Sequence, residues 1–331
     1  MVKVAIVGAT GVVGSKMIEM FEQYEIEADE LVLFSSPRSA GKEIEVLGRT
    51  LTVTELNEES AKEAFDYVVM SAGGGTSKQF APIFEENGAI VIDNSSQWRM
   101  HEDIDLIVPE INTPKLNRGI IANPNCSTIQ SVVALQPLKE QFGLKRVHYT
   151  TYQAVSGSGS GGLRDLEAGA KGEAPTTYPH PIHDNVLPHI DVFMEDGYTK
   201  EEIKMMDETK KILDQQDLRV TATCVRVPVS NSHSVHINVT LDQEASVEAV
   251  REAFRNLPHI KLLDDPANNV YPTPLESTGE PEVSVGRIRR DDSLDNTFHI
   301  WCTADNLLKG AAQNTVQILK MMMETERVHN E

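Results

Sequence analysis

Residues 2–14, VKVAIVGATGVVG, decide the fold of the first half of this chain. The apolar run Val2–Val7 has the length of a buried strand, three glycines follow at the spacing G-x-x-G-x-x-G, and residues 16–21 show helical periodicity. Glycines between a strand and a helix allow a tight turn and let backbone N–H groups approach a pyrophosphate at the helix N-terminus. The spacing differs from the more common G-x-G-x-x-G, and a plain structural turn is the alternative, but this context predicts a dinucleotide-binding domain.

The end of the next predicted strand, Glu30–Phe34, indicates which dinucleotide binds. An NAD site usually has Asp or Glu near this point, about 20 residues after the glycines, to bind the ribose 2′-hydroxyl. Residues 31–41 contain no acid, whereas Arg38 lies among serines that could hold a 2′-phosphate. Unless Arg38 is an ordinary solvated side chain, the sequence favours NADP over NAD.

The rest of the first half predicts a parallel sheet with crossover helices. Apolar runs at 67–71, 89–93, 104–108 and 120–122 alternate in part with helical patterns. In such sheets, ligands bind outside the carboxyl ends of the strands. Arg99 follows one of these ends and can reach an anionic substrate group there, although an isolated arginine is more often a surface residue.

Cys126 lies at a second strand-to-helix corner, in the segment NPNCST at residues 123–128. The free N–H groups and the macrodipole of a helix N-terminus favour a thiolate and can stabilise an oxyanion beside it. Cys126 is therefore a candidate nucleophile, the alternative being a small buried apolar residue. The other cysteines, Cys224 and Cys302, are far away and form no C-x-x-C, so neither a metal site nor a disulfide framework is predicted.

The formal charge of the chain is −20, from 30 basic and 50 acidic residues. Such a surface repels nucleic acid and anionic lipid. No apolar run approaches the ~20 residues of a membrane span, and the first residues already form a strand and turn instead of a signal peptide. We therefore expect a cytoplasmic protein, and any cations gathered near Cys126 would indicate an anionic substrate.

The second half predicts an antiparallel sheet, since strand-like runs recur with few helices between the later ones. These runs lie at residues 147–155, 219–229, 235–241, 282–289 and 296–304. The Ser-Gly stretch 156–162 is predicted to be a loop against a ligand, and a long helix opens at Asp305. Residues 186–191, at the end of a long loop, are apolar enough to need burial against another subunit.

Charged and titratable residues of the second half form two further candidates. Thr199 opens a helix on which Glu201 and Lys204 share a face, as a site or as an ordinary surface ion pair. Arg226 and His233 flank a polar break between two strands, where His233 is either an acid/base or a structural histidine.

Taken together, these segments resemble the aspartate-β-semialdehyde dehydrogenase family over essentially the whole chain. The resemblance rests on GATGVVG, SSPRSAGK, NSSQWR, NPNCST, TYQAVSGSG, EEIK, CVRVPV and SHS in that order. It implies an α/β fold, with a Rossmann-like NADP-binding domain plus an α+β catalytic and dimerisation domain that contains an antiparallel-type sheet. The implied boundaries are 1–126, completed by the C-terminal helix 305–331, and 127–304. One position departs from the family, because Ser232 stands where a glycine often precedes the active-site histidine.

The resemblance also implies residue roles. Cys126 would be the nucleophile that forms an acyl thioester, and His233 the acid/base. Five residues would bind the substrate: Arg99, Gln153, Glu201, Lys204 and Arg226. NADP would contact Gly8, Thr10, Gly11, Val12, Val13, Arg38, Ser39, Ser156, Gly157 and Asn306.

The implied reaction is the NADPH-dependent reductive dephosphorylation of L-aspartyl-4-phosphate to L-aspartate 4-semialdehyde and phosphate. It serves lysine (through diaminopimelate), threonine, methionine and isoleucine biosynthesis, and the implied partner is a second copy of the chain. The residue types agree with this chemistry, because a thiolate attacks an acyl phosphate readily and a doubly anionic substrate needs arginine and lysine.

Three other interpretations remain open. N-acetyl-γ-glutamyl-phosphate reductase uses the same chemistry, but its cysteine usually follows Gly and precedes Tyr, unlike Asn125-Cys126-Ser127. A thiol hydrolase would use Cys126 and His233, but it would not explain the dinucleotide-binding glycine turn. A non-catalytic NADP-sensing dimer would not explain the nucleophile Cys126 or the substrate-binding cations.

Overall fold

The computed structural model describes residues 1–330, with the side chains of residues 1–325. The chain forms two compact units: Met1–Pro124 with the segment from Ala311 onward, and Asn125–Gly310. The last residue of the predicted helix 305–331 lies outside the described residues.

The first unit begins with alternating strands and helices. They are β1 (Lys3–Val7), α1 (Val12–Gln23), β2 (Glu30–Ser35), β3 (Glu43–Val46), β4 (Arg49–Thr52), β5 (Thr54–Glu55), β6 (Tyr67–Met70), α2 (Gly74–Glu86), β7 (Ile90–Asp93), β8 (Asp105–Leu106) and β9 (Ile120–Ala122).

The main sheet of this unit has the order β5-β2-β1-β6-β7-β9-β8 over the described residues, and every pair in it is parallel. The predicted parallel sheet is confirmed, although the run 104–108 is a strand only over Asp105–Leu106. The strand order reverses between β1 and β6, which is where open α/β sheets bind ligands.

Burial explains why these strands are nearly continuous apolar runs. All four residues of β6 are buried, because helices cover both faces of a parallel sheet. On one side, the rings of Phe34, Phe65 and Phe84 pack with centroids 5.8–6.2 Å apart. This packing joins β2, α2 and the segment before β6.

The second unit begins at the helix that carries Cys126. Its elements are α3 (Cys126–Phe142), β10 (Leu144–Gln153), α4 (Gly159–Ala170), α5 (Lys200–Ile212), β11 (Arg219–Arg226), β12 (His233–Leu241), α6 (Val247–Glu252), β13 (Ile260–Leu262), α7 (Pro274–Ser277), β14 (Val283–Arg290) and β15 (Thr297–Ala304).

The sheet of this unit is mixed: the predicted antiparallel pairing is confirmed in its middle, and parallel pairs lie at its edges. Its order is β11-β10-β12-β15-β14-β13, with antiparallel pairs in the middle. The outer pairs, β10 with β11 and β13 with β14, are parallel. The direction of β11 follows from its connection, because α4 and α5 lie between β10 and β11 and form a crossover.

The Ser-Gly stretch is helical, which corrects the predicted loop. A 3₁₀ turn spans Val155–Ser158, and α4 begins at Gly159. Glycine is a poor helix former, but a β-carbon at Gly162 would overlap the carbonyl oxygen of Val155. This close approach requires glycine. The Ser-Gly composition, which is typical of a loop, therefore led to a wrong prediction here.

The predicted helix opening at Thr199 is confirmed as the N-cap of α5. The Thr199 hydroxyl accepts from Glu202 N–H at 3.3 Å, and the Glu202 carboxylate accepts from Thr199 N–H at 2.7 Å. This capping box fixes the direction of α5 and therefore the face that carries Glu201 and Lys204.

The final helix belongs to the first unit. After a wider π-helical turn at Leu308–Ala312, α8 (Gln313–Asn330) packs against α1, β6 and β7. No helix within the described residues is long and apolar enough to cross a membrane.

Candidate active site

A cavity of about 370 Å³ opens at the carboxyl ends of β1, β2 and β6 in the first unit. Gly8, Thr10, Gly11 and Ser35 are among its lining residues. The cavity lies at the reversal of strand order, as expected for a dinucleotide site in this sheet.

The glycine turn at this cavity has no room for side chains. Gly8 has a φ of +85°, and a β-carbon there would overlap the carbonyl of Ser71. Gly11 is the N-cap of α1 and provides no side-chain cap, so the first N–H groups of α1, at Val12 and Val13, are left for another partner. A β-carbon at Gly14 would overlap the carbonyl of Gly8, which keeps the helix close to β1.

Polar groups at the end of β2 complete this cavity. The hydroxyl of Thr10 lies 2.7 Å from that of Ser35 and donates to Ser39 at 3.3 Å. Arg38 is exposed and has no hydrogen bond or ion pair among the described residues. The glycine cradle, the uncapped helix and a cation in place of an acid together fit NADP.

Arg99 is held at the carboxyl ends of two neighbouring strands of the first unit. Its Nε donates to Asn123 O and its Nη2 to Asn94 O, both at 2.9 Å. Asn94 follows β7 and Asn123 follows β9, so two strand ends fix the guanidinium. Arg99 is only 7% exposed, so it is a positioned cation instead of a surface arginine.

Cys126 is the first residue of α3 in the second unit. The preceding Asn125 caps the helix, because its Oδ1 accepts from the N–H groups of Ser127 at 2.9 Å and Thr128 at 3.2 Å. Gly310 packs against the cysteine, since a β-carbon at 310 would lie 2.9 Å from Cys126 Cβ. The side chain of Cys126 is half-buried, so it remains reachable by a substrate.

Two carboxylates of α5 hold Asn125 in place. Oε1 of Glu201 accepts from Asn125 Nδ2 at 2.8 Å, and Oε2 of Glu208 accepts from Asn125 N–H at 2.6 Å. Asn125, Glu208 and Gly310 were not among the predicted site residues. Glu208 had one available signal, because it lies seven residues after Glu201 and therefore on the same face of α5.

Glu201 also gathers the predicted substrate residues Gln153 and Lys204. Gln153 Nε2 donates to its Oε1 at 3.4 Å, and Lys204 Nζ to its Oε2 at 3.2 Å. Lys204 also contacts Asp191 at 2.7 Å. Burial would lower the pKa of Lys204, but Glu201 and Asp191 outweigh it and raise this pKa, so the ammonium stays charged.

His233 is fully buried at the start of β12, beside Arg226. The N–H of Ala154 donates to His233 Nδ1 at 3.0 Å, so the neutral ring carries its proton at Nε2. Within the described residues, Nε2 has no hydrogen-bond partner. Burial, and then the charge of Arg226, hold the pKa of His233 well below its usual value, so the ring is neutral at neutral pH.

Arg226 and His233 face the same glycine. A β-carbon at Gly157 would lie 2.9 Å from Arg226 Nη1 and 3.3 Å from His233 Nε2. Arg226 Nη1 donates to Ala154 O at 2.7 Å, while its Nε is buried without a partner among the described residues. Gly157 therefore leaves the space beside the guanidinium and His233 Nε2 free of a side chain, which suits an anionic or carbonyl ligand.

The two groups of residues in the second unit are joined at the end of β10. Gln153 belongs to the Glu201 group, and the next residue, Ala154, binds both Arg226 and His233. The structure thus brings together Gln153, Glu201, Lys204, Arg226, His233, Ser156, Gly157 and Asn306 in the unit that carries Cys126.

Cys224 and Cys302 are not part of this arrangement. They are buried in β11 and β15, and burial raises the pKa of both thiols, that of Cys302 to about 12. They are packing residues of these two strands.

Comparisons with known proteins identify the family. Residues 3–118 match the family model "Semialdehyde dehydrogenase, NAD binding domain", and residues 135–309 match "Semialdehyde dehydrogenase, dimerisation domain". The chain is 48% identical to the aspartate-semialdehyde dehydrogenase of Aquifex aeolicus (strain VF5), covering 97% of this chain and 98% of the relative.

Solved structures give the same result. The chain resembles aspartate semialdehyde dehydrogenase II of Vibrio cholerae complexed with ASA, with a TM-score of 0.93, 40% identity and 98% of each chain covered. It also resembles the Candida albicans enzyme with NADP, with a TM-score of 0.75, 27% identity, and 98% and 99% of the two chains covered. The family resemblance seen in the sequence is confirmed: the chain belongs to the aspartate-semialdehyde dehydrogenase family.

Proposed function

We propose that this chain reduces L-aspartyl-4-phosphate to L-aspartate 4-semialdehyde and phosphate with NADPH, through a thioester on Cys126. The observation that carries the proposal is the position of Cys126 at the start of α3, where Asn125 is held by Glu201 and Glu208. The reaction supplies lysine, diaminopimelate, threonine, methionine and isoleucine biosynthesis, and we place the enzyme in the cytoplasm.

The substrate carries a carboxylate and a phosphate, although the protein has a formal charge of −20. Arg226 binds the α-carboxylate with its unused Nε–H, and Glu201 binds the substrate amine. Arg99 and Lys204 bind the phosphate. Gln153 orients the acyl group beside Cys126. These cations thus offset the acidic surface. Neighbouring backbone carbonyls and carboxylates fix their positions.

Cys126 attacks the acyl carbon as the thiolate, and the carbonyl becomes a tetrahedral oxyanion. The N–H groups at the start of α3 stabilise this oxyanion, and the C–O bond to phosphate then breaks to leave the thioester. The Asn125 cap stops the first turn of α3 from unwinding during these steps.

NADPH, when bound, supplies the hydride that reduces the thioester. Three groups of residues hold it: the turn of Gly8, Thr10, Gly11, Val12 and Val13; the 2′-phosphate site of Arg38 and Ser39; and Ser156 and Gly157, with Asn306 acting through its hydrogen bond to Ser156. His233 acts at Nε2, because Ala154 occupies Nδ1. Its Nε2–H hydrogen-bonds to the oxyanion of the hemithioacetal, which then collapses to the aldehyde as the C–S bond breaks and the Cys126 thiolate re-forms.

The domain roles follow from this assignment. Residues 1–126 with 305–331 bind NADP, and residues 127–304 provide catalysis and dimerisation. The enzyme is a homodimer, which is supported by the dimerisation-domain match and by exposed apolar side chains at Val186, Val192, Phe193 and Met194, 47–59% exposed.

The reverse reaction tests the proposal. Purified protein is mixed with L-aspartate 4-semialdehyde, phosphate and NADP⁺, and NADPH absorbance is followed, with NAD⁺ in parallel. The proposal requires phosphate-dependent formation of NADPH.

Each other outcome selects an alternative. Signal only with N-acetylglutamate semialdehyde would assign the chain as N-acetyl-γ-glutamyl-phosphate reductase. Folded protein that binds NADPH but turns over neither aldehyde would indicate the sensor, and protein that does not bind NADPH would indicate the thiol hydrolase.

A further inference from the structure

The residue before His233 has an unusual backbone conformation. Ser232 is fully buried with a φ of +70°, in the left-handed region that glycine, asparagine and aspartate adopt far more readily than serine. β12 begins at the next residue, so the torsion at 232 sets where the His233 ring enters the site. Something must hold Ser232 in this conformation.

Asn306 makes the contact that does so. Its Oδ1 accepts from Ser232 N–H at 2.9 Å, and its Nδ2 donates to Ser156 Oγ at 3.0 Å. Asn306 is 3% exposed, and these partners use both ends of its amide. Its hydrogen bonds are therefore made within the protein, to Ser232 before His233 and to Ser156, although the family resemblance assigns Asn306 to the cofactor.

A chain of hydrogen bonds fixes the amide of Asn306 in turn. Ser156 Oγ donates to Asn231 Oδ1 at 2.9 Å, and Asn231 Nδ2 donates to Asp305 Oδ2 at 2.8 Å. Asp305 is itself held, because its Oδ1 accepts from the N–H groups of Leu307 and Leu308 at 2.8 and 3.2 Å. Ser156 Oγ also lies 3.2 Å from Asn306 Oδ1, so this hydroxyl contacts both ends of the amide. The Ser232 N–H requires an acceptor, which makes Oδ1 the end of the Asn306 amide that faces Ser232.

The hydroxyl of Ser232 adds a second, weaker constraint. It lies 2.8 Å from the hydroxyl of Thr278, which donates to Pro274 O at 2.9 Å. This contact positions the side chain of Ser232. Among the described residues, only Asn306 accepts from the backbone N–H of Ser232, whose direction relative to the side chain depends on φ. The backbone constraint and the side-chain constraint can therefore be separated by mutation.

We infer that Asn306 is a positioning residue that holds Ser232 in the left-handed conformation and thereby places His233 Nε2–H for hydrogen bonding to the oxyanion. This inference rests on the proposed function of His233, but the Asn306–Ser232 contact can be tested without it. Asn306→Ala frees the backbone of Ser232, so the His233 ring leaves its productive position, and turnover is lost more than cofactor binding.

The test is a double-mutant cycle between positions 306 and 232 in the full-length enzyme. We expect Asn306→Ala to lower kcat by about 10-fold or more with KM for NADP⁺ changed by less than about 2-fold. Glycine adopts the left-handed conformation without a partner, so in the Ser232→Gly background the same mutation should lower kcat by less than about 3-fold.

A second variant approaches the contact from the other side. Ser232→Val places a β-branched side chain where φ is positive, so it should reproduce the kcat loss with Asn306 intact. Asn296→Ala is the matched control, because it removes a turn amide that donates to Leu241 O at 2.9 Å and Gln243 O at 2.8 Å, away from His233. It should leave kcat within about 2-fold.

Three results would overturn the inference. The first is a rise in KM for NADP⁺ in Asn306→Ala that the Ser232→Gly background does not reverse. The second is an unchanged kcat in Asn306→Ala. The third is that Asn306→Ala lowers kcat equally in enzymes with Ser232 and with glycine at that position. Urea unfolding of the four proteins measures the same coupling without turnover: Asn306→Ala must destabilise the enzyme that keeps Ser232 more than it destabilises the Ser232→Gly variant. A wild-type enzyme without semialdehyde activity would refute the proposed function and leave this coupling still measurable.

Discussion

Gly310 and Cys126 approach each other so closely that a β-carbon at 310 would lie 2.9 Å from the β-carbon of the cysteine. The glycine stands in the wide turn that precedes α8, far along the chain from the nucleophile. A contact this short leaves no room for a side chain, so the direction of the thiol depends on a residue with no chemistry of its own.

Gly310→Ala should therefore displace Cys126 and lower kcat by about 10-fold or more, with a loss of stability of about 1–3 kcal/mol. Initial rates and the alkylation rate of Cys126 by iodoacetamide measure the displacement. Gly169→Ala is the matched control, since its β-carbon would lie 2.7 Å from His183 Cβ, away from the site. If both variants lost activity equally, general destabilisation would be the cause.

Cys126→Ser should lower turnover by about 1,000-fold or more, because a serine hydroxyl is not ionised at neutral pH as a thiol can be. Cys224→Ser serves as the control, since Cys224 is buried and its thiol pKa is raised. Mass spectrometry after brief alkylation should find the label on Cys126 only. Near-normal turnover by Cys126→Ser would exclude the thioester mechanism.

Arg38→Ala should weaken NADPH binding by roughly 10- to 100-fold and NADH binding by less than about 2-fold, because only NADPH has the 2′-phosphate. Fluorescence titration with both cofactors measures the ratio. Arg49→Ala removes an exposed arginine that donates to Asp29 O at 3.4 Å and should affect neither cofactor. An equal loss of both cofactors in Arg38→Ala would remove the assigned role.

The stability of the protein should fall as the pH drops below about 6.5, in part through His236. Burial, followed by the nearby His299, Arg289 and His148, lowers the pKa of His236 to about 4, although Asp291 acts in the opposite direction. The neutral ring lies 2.9 Å from His299 Nδ1. Its contribution is complete above about pH 6.5 and is lost as the pH falls toward about 4, because the unfolded chain then binds more protons.

Melting temperatures at pH 7 and pH 5 test this sign. His236→Asn should reduce the drop between the two pH values by roughly 2–4 °C. His180→Asn replaces an exposed histidine without a hydrogen bond among the described residues, and it should leave the drop unchanged. A larger drop in His236→Asn would show that the sign is wrong.

Local signals in the sequence predicted the parts of the site that local structure creates. The corner at Cys126, the Thr199 cap and the glycine turn each follow from a few neighbouring residues, and the structure has all three. Glu208 and Gly310 were missed because each acts on residues distant in the chain, and neither a carboxylate on a helix nor a glycine in a turn indicates its partner.

The mixed sheet shows the same limit at the level of the fold. The alternating patterns of β10 and β11 are those of half-buried strands, and such a pattern contains no information about the direction of the neighbour. The parallel pairing depends on the crossover through α4 and α5, which lies outside both strands. At Ser232 a sequence signal did indicate a backbone feature. A serine stands where the family often has glycine, and the residue has a positive φ.

The first unit is assembled from two separated segments, and this has a consequence for synthesis on the ribosome. β6 and β7 emerge early, but α8, which packs against them, is translated only after the whole of residues 125–310. The second unit is continuous in sequence, so it can close first. During that interval the nascent chain exposes the apolar sheet surface that α8 will cover, and this surface is where a ribosome-associated chaperone would bind.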